Sequence, residues 1–595
     1  MVKKAKQSPR KIALEGSVAG DVIHSNPRLS TSSNDINQSQ PSRRAVLSLL
    51  SDIGAQRGLQ LTILAAVSSQ LSQLNLSPVY GSVPSGLYHR YGVLTSLFLA
   101  FGLRRRLPAW TSRTIPAFAF WIPSIQFVLF QFSSTLGPQY GPLLTELLTY
   151  YPLLTLSMYK AFQLYDQLLP GPTTSSFLSE TTPGLSLFLL FIILRRSTQS
   201  WIKRYIGVKL LFTRVFLQLA VATLYAMVLP KFLLWPAVPS IAFTLFANPH
   251  TALQRTTEVL NNTLGLHSYT LIDRHESRTG YISVIESNTG HFRALRCDHS
   301  LLGGNWLLPP QPTGAKLPPR LVPEPIYAVF TMLEAVRLIE PSPLAPISQQ
   351  KALNIGLGIG TAPSALIHHG INTTIIELDP WVHRYAVEYF SLPHNHSIYI
   401  GDAVAAVKAN VKKNQTKIFT HVIHDVFTGG AEPVELFTLE FLSGLRDLMT
   451  DDGVVAINYA GDLALPTTSM VFRSITSVFG SCRIFREESR PESTDAASAS
   501  AKAGMDFTNM VFFCIKPSAV PITFRQPIES DFLGSGARLE FLVPKFEVMH
   551  DEFEREGDLL TEKNVQAVEK WQAQSAVGHW RVMRNVLPDV VWEYW

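Results

Sequence analysis

Three glycines at alternate positions follow a short apolar segment. The segment is 351–355, and the glycines are Gly356, Gly358 and Gly360. Glycines in such a turn let the backbone approach a bound ligand, and an acidic side chain about 20 residues further on can accept hydrogen bonds from ribose hydroxyls. Glu377 stands 21 residues after Gly356, at the end of the next apolar segment. This spacing predicts a binding site for an adenine nucleoside.

Two more carboxylates end apolar segments further along the chain. Asp402 follows 397–400, and Asp425 follows 419–424. In a doubly wound parallel sheet, ligands bind beyond the carboxyl ends of the strands. We therefore expect Glu377, Asp402 and Asp425 to meet the same ligand as the glycines, with Asp402 at the adenine edge.

The elements that position these residues alternate between strand and helix from about residue 262. Segments 281–286 and 291–297 predict two strands joined by a turn, within a small β-hairpin region at 262–325. Residues 326–518 are predicted to form the nucleoside-binding domain, beginning with a helix over 327–340, and 519–595 form a C-terminal extension. The fold class of this half is α/β and Rossmann-like.

These motifs resemble those of the spermidine/spermine synthase family, a branch of the class I S-adenosylmethionine-dependent methyltransferase fold. The resemblance runs from about Tyr269 to Ile515 and rests on four segments: 354–360, 377–379, 401–403 and 422–425. It implies transfer of an aminopropyl group from decarboxylated S-adenosylmethionine to a small amine in polyamine biosynthesis, without a metal. It also implies that Gly356, Gly358, Gly360, Glu377 and Asp402 bind the nucleoside, that Asp425 is the catalytic base and that Tyr281 contacts the substrate.

Two departures from the family pattern favour an alternative reaction. The family usually carries an Asp where Ile359 stands, and a second acid where Thr428 stands. A polyamine site needs carboxylates to pair with ammonium groups, whereas intact S-adenosylmethionine carries a carboxylate that an Asp would repel. Methyl transfer from S-adenosylmethionine is therefore the second hypothesis. A non-catalytic nucleoside-sensing or transport protein is the third.

The first half of the chain is apolar and poor in charge. The chain is 46% hydrophobic but only 16% charged, and residues 51–250 hold four acidic and fourteen basic side chains. This composition argues against a disordered or wholly soluble protein. It predicts a multi-pass α-helical transmembrane bundle over 51–250, with about six spans, in contact with the lipid bilayer.

The remaining expectations concern location and partners. Residues 1–50 predict a disordered basic tail, and basic loop residues place the tail and the catalytic domain on the cytoplasmic side. The three cysteines do not suffice for a secreted disulfide scaffold, so a reducing compartment is expected. A homodimer is possible by the same resemblance, and the net charge of +6 does not point to nucleic acid.

Overall fold

The computed structural model describes residues 52–168, 177–229, 234–309, 319–427, 432–489, 507–516, 521–549, 553 and 556–595. Asp52–Trp595 form one compact unit. The predicted basic tail at 1–50 and the departure at Thr428 lie outside the described residues.

The first half of this unit is helical. Its helices are α1 Ile53–Tyr80, α2 Ser82–Gly86, α3 His89–Leu103, α4 Ile115–Phe130, α5 Ser133–Leu148, α6 Tyr150–Leu168, α7 Phe177–Tyr205, α8 Arg214–Val228, α9 Val238–Phe246 and α10 Gln254–Gly265. Helix α1 contacts α6, α7 and α8 and so forms the centre of the bundle. The Asp52 side chain begins this helix by accepting hydrogen bonds from the N–H groups of Gly54 and Ala55.

These helices do not by themselves support a six-span transmembrane bundle. Within the described residues, one segment, Gly184–Tyr205, is both long and apolar enough to cross a membrane. The apolar helices Ile115–Phe130 and Arg214–Val228 have 16 and 15 residues, fewer than the roughly 20 that a bilayer requires. Longer helix α1 buries polar side chains such as Gln70 and Asn75. Membrane insertion stays a prediction.

A small antiparallel sheet follows the helices. Its strands, in sequence and in spatial order, are β1 Tyr269–Glu276, β2 Tyr281–Ser287, β3 Phe292–Cys297, β4 Ser300–Trp306 and β5 Glu324–Pro325. The two strands predicted at 281–286 and 291–297 are confirmed, and they pair from Ile282 with Cys297 to Ser287 with Phe292.

An eight-stranded sheet forms the second half and confirms the Rossmann-like prediction. Its elements are α11 Ala328–Met332, β6 Ile339–Glu340, β7 Lys351–Ile355, α12 Thr361–His368, β8 Asn372–Glu377, α13 Pro380–Phe390, β9 Ser397–Ile400, α14 Ala403–Lys412, β10 Phe419–His424, α15 Leu439–Leu448, β11 Met449–Asp462, α16 Pro466–Phe479, β12 Ser481–Arg486, β13 Phe507–Ile515, β14 Thr523–Phe524, α17 Gly536–Phe541, β15 Phe546–Glu547, α18 Glu569–Val586 and α19 Asp589–Glu593. The strand order is β15-β12-β13-β11-β10-β7-β8-β9, and β6 pairs with β14 separately.

The five parallel strands of this sheet run from β9 through β8, β7 and β10 to β11. Their order reverses at β7, so the crevice beyond β7 and β10 is where a doubly wound sheet binds its ligand. Two apolar clusters cover the sheet, one built around Phe441 and Phe472 and the other around Leu333 and Phe513. Helices thus cover the central strands of the sheet on both faces. A ligand site is therefore expected at the ends of these strands.

The helix predicted over 327–340 is shorter than expected. An α-helix covers Ala328–Met332, a 3-10 helix continues over Leu333–Leu338, and Ile339–Glu340 form a strand. Ile339 pairs with Phe524 and Glu340 with Thr523. The strand pairing therefore ends the helix that the apolar periodicity alone predicts.

Cys482 and Cys514 form a disulfide between the neighbouring strands β12 and β13. The two residues face each other in the antiparallel register, so the pairing of the strands brings the sulfur atoms together. This bond departs from the expectation that all three cysteines are reduced. Cys297 is buried and free.

The C-terminal extension packs between the two halves. The indole Nε1 of Trp580 donates to the carbonyl of Val79 at 3.0 Å, and the ring of Trp595 stacks on His250 at 4.6 Å. Arg296 on β3 donates to the carbonyl of Pro78 at 2.6 Å. Because these contacts are buried, the helical half, the small sheet and the extension share one interior.

Candidate active site

A cavity of about 710 Å³ opens at the carboxyl edge of the parallel strands. Its volume lies within the range of small-molecule sites, about 300–1,000 Å³. Gly356, Gly358, Glu377, Asp402 and Asp425 all line it. The structure therefore brings together five of the seven residues singled out in the sequence.

The glycine-rich turn lies directly against the end of β10. Gly356 has φ +81°, and a Cβ atom there would come within 1.9 Å of the carbonyl oxygen of Asp425. Only glycine fits this close approach. Gly360, with φ +84°, begins helix α12 and lies outside the cavity lining. Ile359 is buried against Gly303 of the small sheet, so the position that carries an acid in the resembling family is turned away from the cavity here.

Glu377 and Asp402, the two carboxylates predicted to bind a nucleoside, line the cavity beyond β8 and β9. One Oε atom of Glu377 accepts the N–H of Asp379 at 2.8 Å. Burial raises the pKa of Glu377 to about 7, although backbone N–H groups oppose that rise. Asp402 Oδ1 accepts the N–H of Val404 at 3.0 Å and thereby begins helix α14. Both carboxylates are thus fixed by local backbone, which leaves a further oxygen of each for a ligand.

Asp425 lies in the middle of the cavity wall. The side-chain amide of Asn458, within neighbouring β11, donates to Asp425 Oδ1 at 2.9 Å. Burial raises the pKa of Asp425 to about 6, and the Asn458 hydrogen bond works against that rise. The carboxyl group therefore changes its charge close to physiological pH. Asn458 was not singled out in the sequence, although a polar residue in the apolar run 454–460 was a usable signal.

A second pairing of a carboxylate with an amide lies further along the same sheet edge. The amide of Asn509 on β13 donates to Glu487 Oε2 at 2.7 Å, and the N–H of Val329 donates to Glu487 Oε1 at 3.1 Å. Both Glu487 and Asn509 line the cavity. The sequence did not single out Glu487, because nothing in the chain order shows that β12 and β13 lie on the far side of β11.

Helix α18 closes the cavity from the C-terminal extension, a role that the sequence did not reveal. It contributes His579, Val582 and Met583 to the lining. The His579 ring packs against Phe427 at 4.6 Å, and burial lowers the pKa of this histidine to about 3. His579 is therefore a neutral part of the wall.

Tyr281 does not line the cavity. Its ring contacts Trp595 at 5.4 Å and lies 5.3 Å from the guanidinium of Arg296. It belongs to a buried cluster with Tyr80 and Phe130 of the helical half. The structure thus places Tyr281 between the small sheet and the helices, where it packs and cannot reach a ligand in the cavity.

The charged side chains that line the cavity are acidic. Among the described residues these are Glu377, Asp402, Asp425, Glu432, Glu435, Glu487 and Glu488, and no lysine or arginine lines the cavity with them. Such a site attracts cations, including sulfonium and ammonium groups. The described part of the chain contains no group of three or more His, Cys, Asp or Glu residues arranged to hold a metal ion.

The N-terminal histidine N-methyltransferase of Emericella nidulans is 44% identical to this chain over 557 residues. The match covers 90% of this chain and 97% of that protein. The chain belongs to the N-terminal histidine N-methyltransferase family. Because the match covers nearly the whole length of both proteins, it includes the helical half and the C-terminal extension.

Other comparisons match shorter parts of the chain. The polyamine aminopropyltransferase of Vibrio vulnificus is 32% identical over 143 residues, which are 23% of this chain and 47% of that enzyme. A spermidine synthase solved with the transition-state analogue AdoDATO covers 42% of this chain and 74% of its own, at 18% identity and a TM-score of 0.30. Human methyltransferase-like protein 13 with SAH covers 40% and 94%, at 16% identity and a TM-score of 0.24. No protein-family model matches the chain.

As a member of this family, the protein is a transferase that uses S-adenosylmethionine as its co-substrate. The cavity suits that molecule, because a glycine turn and two backbone-fixed carboxylates stand at one end and the charged side chains of the described lining are acidic. The sequence-based hypothesis of methyl transfer is therefore better supported than the main hypothesis of aminopropyl transfer.

Proposed function

We propose that this protein transfers the methyl group of S-adenosylmethionine to a nitrogen of an N-terminal histidine. The observation that carries the proposal is the 44% identity, over 90% of the chain, to an enzyme of that name. The acidic cavity around Asp425 supports it, because a cationic donor and a basic acceptor both gain from that charge.

Glu377 and Asp402 hold the nucleoside in this proposal, and Gly356 and Gly358 form the turn beside it. Bound S-adenosylmethionine supplies a methyl group already activated by the positive sulfur. The enzyme then has to align the acceptor nitrogen with that carbon and exclude water. The side chains of helix α18 and of Phe427 that line the cavity exclude water.

Asp425 acts as the proton acceptor. The lone pair of the histidine nitrogen forms the new N–C bond while the S–C bond breaks and sulfur keeps its electron pair. The methylated nitrogen becomes cationic, and Asp425, ionised above its pKa of about 6, takes up the proton that the histidine releases. Asn458 orients the carboxylate for this transfer.

Aminopropyl transfer has less support. The buried Ile359 stands where the resembling family carries its amine-binding acid, and its side chain packs on the small sheet. The alignment with the aminopropyltransferase relative covers only 23% of this chain.

The test uses purified full-length protein and a short peptide that begins with histidine. With S-adenosylmethionine we expect the peptide to gain the mass of one methyl group, and with decarboxylated S-adenosylmethionine we expect no product. Asp425→Asn removes the proton acceptor, and Asp451→Asn, at an exposed carboxylate, is the matched control that keeps full turnover. Aminopropylation of the peptide or of a polyamine overturns the proposal.

We further propose that the helical half contacts a lipid bilayer. What supports this is the low charge of 51–250 and the large apolar side chains that helices α3, α7 and α8 leave exposed, among them Phe98, Leu185, Ile193 and Met227. The Cys482–Cys514 disulfide favours an oxidising compartment for the catalytic half, since such bonds are rare in the cytosol. We propose this compartment as the alternative to the cytoplasmic side, which stays a prediction from the loop charges.

Two exposed glycosylation sequons test the side of the membrane. Asn395 and Asn414 each begin an Asn-x-Ser/Thr sequence at the surface of the catalytic half. A glycan on either, removed by Asn395→Gln or Asn414→Gln, places that half outside the cytosol. Free Cys482 and Cys514 thiols in protein trapped from intact cells with an alkylating reagent place it in the cytosol. Protein that remains in the supernatant after membranes are sedimented contradicts the bilayer contact.

A further inference from the structure

The far end of the cavity holds a carboxylate that methyl transfer itself does not use. Glu487 is fixed by the Asn509 amide at 2.7 Å and by the N–H of Val329 at 3.1 Å. Asp425 and Asn458 form the same kind of pair. The cavity thus contains two carboxylates, each oriented by an amide from the neighbouring strand.

The pairing of β11 with β13 sets the distance between Asn458 and Asn509, the two amides of these carboxylate–amide pairs. In the first pair, Asp425 follows β10 and Asn458 lies within β11. In the second pair, Glu487 follows β12 and Asn509 lies within β13, and β11 is next to β13. Asn509 is opposite Ala460, two residues beyond Asn458. The Cα atoms of Asn458 and Asn509 are therefore offset by one strand spacing, about 4.8 Å, across the sheet and by two residues, about 6.8 Å, along it.

The chemistry of the second pair suits an ammonium group. Within the described residues no lysine or arginine lines the cavity, so the Glu487 carboxylate has no cation beside it in the lining. The hydroxyl of Tyr327 lines the same end, is buried and has no hydrogen-bond partner among the described residues. An ammonium group has three donors, which match the remaining lone pairs of Glu487 and the Tyr327 oxygen.

We propose that Glu487, with Asn509 and Tyr327, binds the free α-ammonium group of the acceptor and thereby selects an N-terminal residue. This inference rests on the proposed function and adds to it a specificity-determining site. The α-amino nitrogen of histidine is about 5 Å from its ring nitrogens, and a hydrogen bond at each end adds about 2.8 Å. One histidine residue therefore spans the offset between the two pairs, and the ring lies at Asp425.

Glu487 also caps helix α11, because it accepts the N–H of Val329 in the first turn of that helix. A purely structural role for Glu487 must therefore be separated from recognition. Glu487→Gln keeps an oxygen that can accept the Val329 N–H but removes the charge that attracts an ammonium group.

The experiment compares three peptides on the full-length enzyme. One begins with histidine, the second is the same peptide acetylated on its α-nitrogen, and the third has one alanine placed before the histidine. For the wild type we expect kcat/KM to fall at least about 100-fold for the acetylated and extended peptides. In Glu487→Gln we expect kcat/KM for the free peptide to fall to a similar level, mainly because KM rises. The affinity for S-adenosylmethionine, measured by calorimetry, should not change.

Controls and contrary outcomes are distinct for the two proposals. Glu540→Gln, at an exposed carboxylate of helix α17, should keep the full preference for the free peptide. If the wild type methylates the free and acetylated peptides equally, or if Glu487→Gln keeps the preference, the ammonium site is overturned while the methyltransferase proposal stands. If the wild type binds S-adenosylmethionine but methylates none of the peptides, the proposed function is overturned and the ammonium site with it.

Discussion

Asp425 combines burial with a single strong orienting hydrogen bond. Burial favours the neutral acid, whereas the Asn458 amide favours the carboxylate, and the balance leaves the pKa at about 6. A proton acceptor tuned to this range is mostly ionised at neutral pH and still basic enough to take a proton.

The pH dependence of turnover follows from that balance. Since the ionised form of Asp425 is the active one, kcat/KM for the histidine peptide should fall as pH drops below about 6. The peptide imidazole must also be neutral, and its ordinary pKa is about 6.5. These two groups alone give the wild type a limiting slope of about two in log kcat/KM against pH, and titration of Glu377, with its pKa of about 7, can only steepen it.

Asp425→Asn tests the assignment within the same profile. The variant should be slower by about 10²–10⁴-fold, and its limiting slope should be smaller than that of the wild type by about one, because one titrating carboxyl group has been removed. The measurement is the acid limb of kcat/KM for both proteins. A slope that is the same in both proteins removes Asp425 from the role of proton acceptor.

Much of the site was predictable at the residue scale because strand ends are visible in the sequence. Glu377, Asp402 and Asp425 each follow an apolar run, and parallel strands must bring such positions to one edge. Glu487 and His579 were not predictable in this way. Their placement depends on strand order and on where a distant helix packs, and neither leaves a local pattern.

At the scale of elements, the glycine turn between β7 and α12 controls the geometry of the cavity. The N–H of Asp425 donates to the carbonyl of Ile355 at 2.8 Å, so the end of β10 is tied to the turn. Gly356 then lies so near Asp425 that no side chain fits between them. The turn thus fixes the backbone of the proposed proton acceptor, and in the proposed function it also lies beside the nucleoside.

Gly356→Ala should therefore cost both stability and ligand binding. The new Cβ would meet the Asp425 carbonyl oxygen at 1.9 Å in a backbone conformation with φ +81°, and both effects force the turn to move. We expect a loss of about 2–4 kcal/mol in the free energy of unfolding and S-adenosylmethionine binding too weak to detect by calorimetry. Gly536→Ala is the control, since nothing lies within 4 Å of a Cβ there. Unchanged binding in Gly356→Ala would contradict the tight packing of the turn.

Strands β7, β9 and β10 match the apolar segments 351–355, 397–400 and 419–424, whereas β12, β14 and β15 were not predicted. Period-two and continuous apolar runs bounded by turn residues are a local signal. The segment 327–340 was predicted less well, because its last two residues pair with β14, which lies almost 200 residues later. Helical periodicity carries no information about such a distant partner.

At the scale of the whole molecule, a buried arginine joins the helical half to the small sheet. Arg214 of α8 donates to Glu276 at 3.2 Å and to Asp298 at 3.4 Å, and its Nε donates to the carbonyl of Leu74. The Arg214 side chain is fully buried. Two carboxylates of the catalytic half thus depend on one cation from the helices.

Arg214→Met should destabilise the protein strongly. The substitution leaves Glu276 and Asp298 buried without their cation, a loss that typically costs about 3–5 kcal/mol. Thermal unfolding of the full-length protein measures the effect. Arg384→Met, at the exposed pair with Glu388, should change stability by less than about 1 kcal/mol. Equal shifts in both variants would show that the Arg214 network contributes nothing beyond a surface pair.

The catalytic half should not fold on its own. A fragment beginning at residue 262 lacks Val79, Pro78 and His250, which are the partners of Trp580, Arg296 and Trp595. We expect this fragment to aggregate or to bind a hydrophobic dye, whereas 52–595 gives a cooperative unfolding transition. A monomeric 262–595 fragment that binds S-adenosylmethionine as tightly as the full chain would contradict this expectation. The sequence alone suggested separable domains, because the composition changes near residue 250.

The small sheet and the glycine turn are in direct contact, since a Cβ on Gly358 would meet the carbonyl oxygen of Leu302 at 2.4 Å and one on Gly303 would meet Ile359. Thermodynamic linkage then requires that a nucleoside which orders the turn also protects strand β4 from opening. Amide hydrogens of Ser300–Trp306 should accordingly exchange more slowly once the donor is bound. Hydrogen exchange in the small sheet should thus show whether the donor is bound in the cavity, without any catalytic turnover.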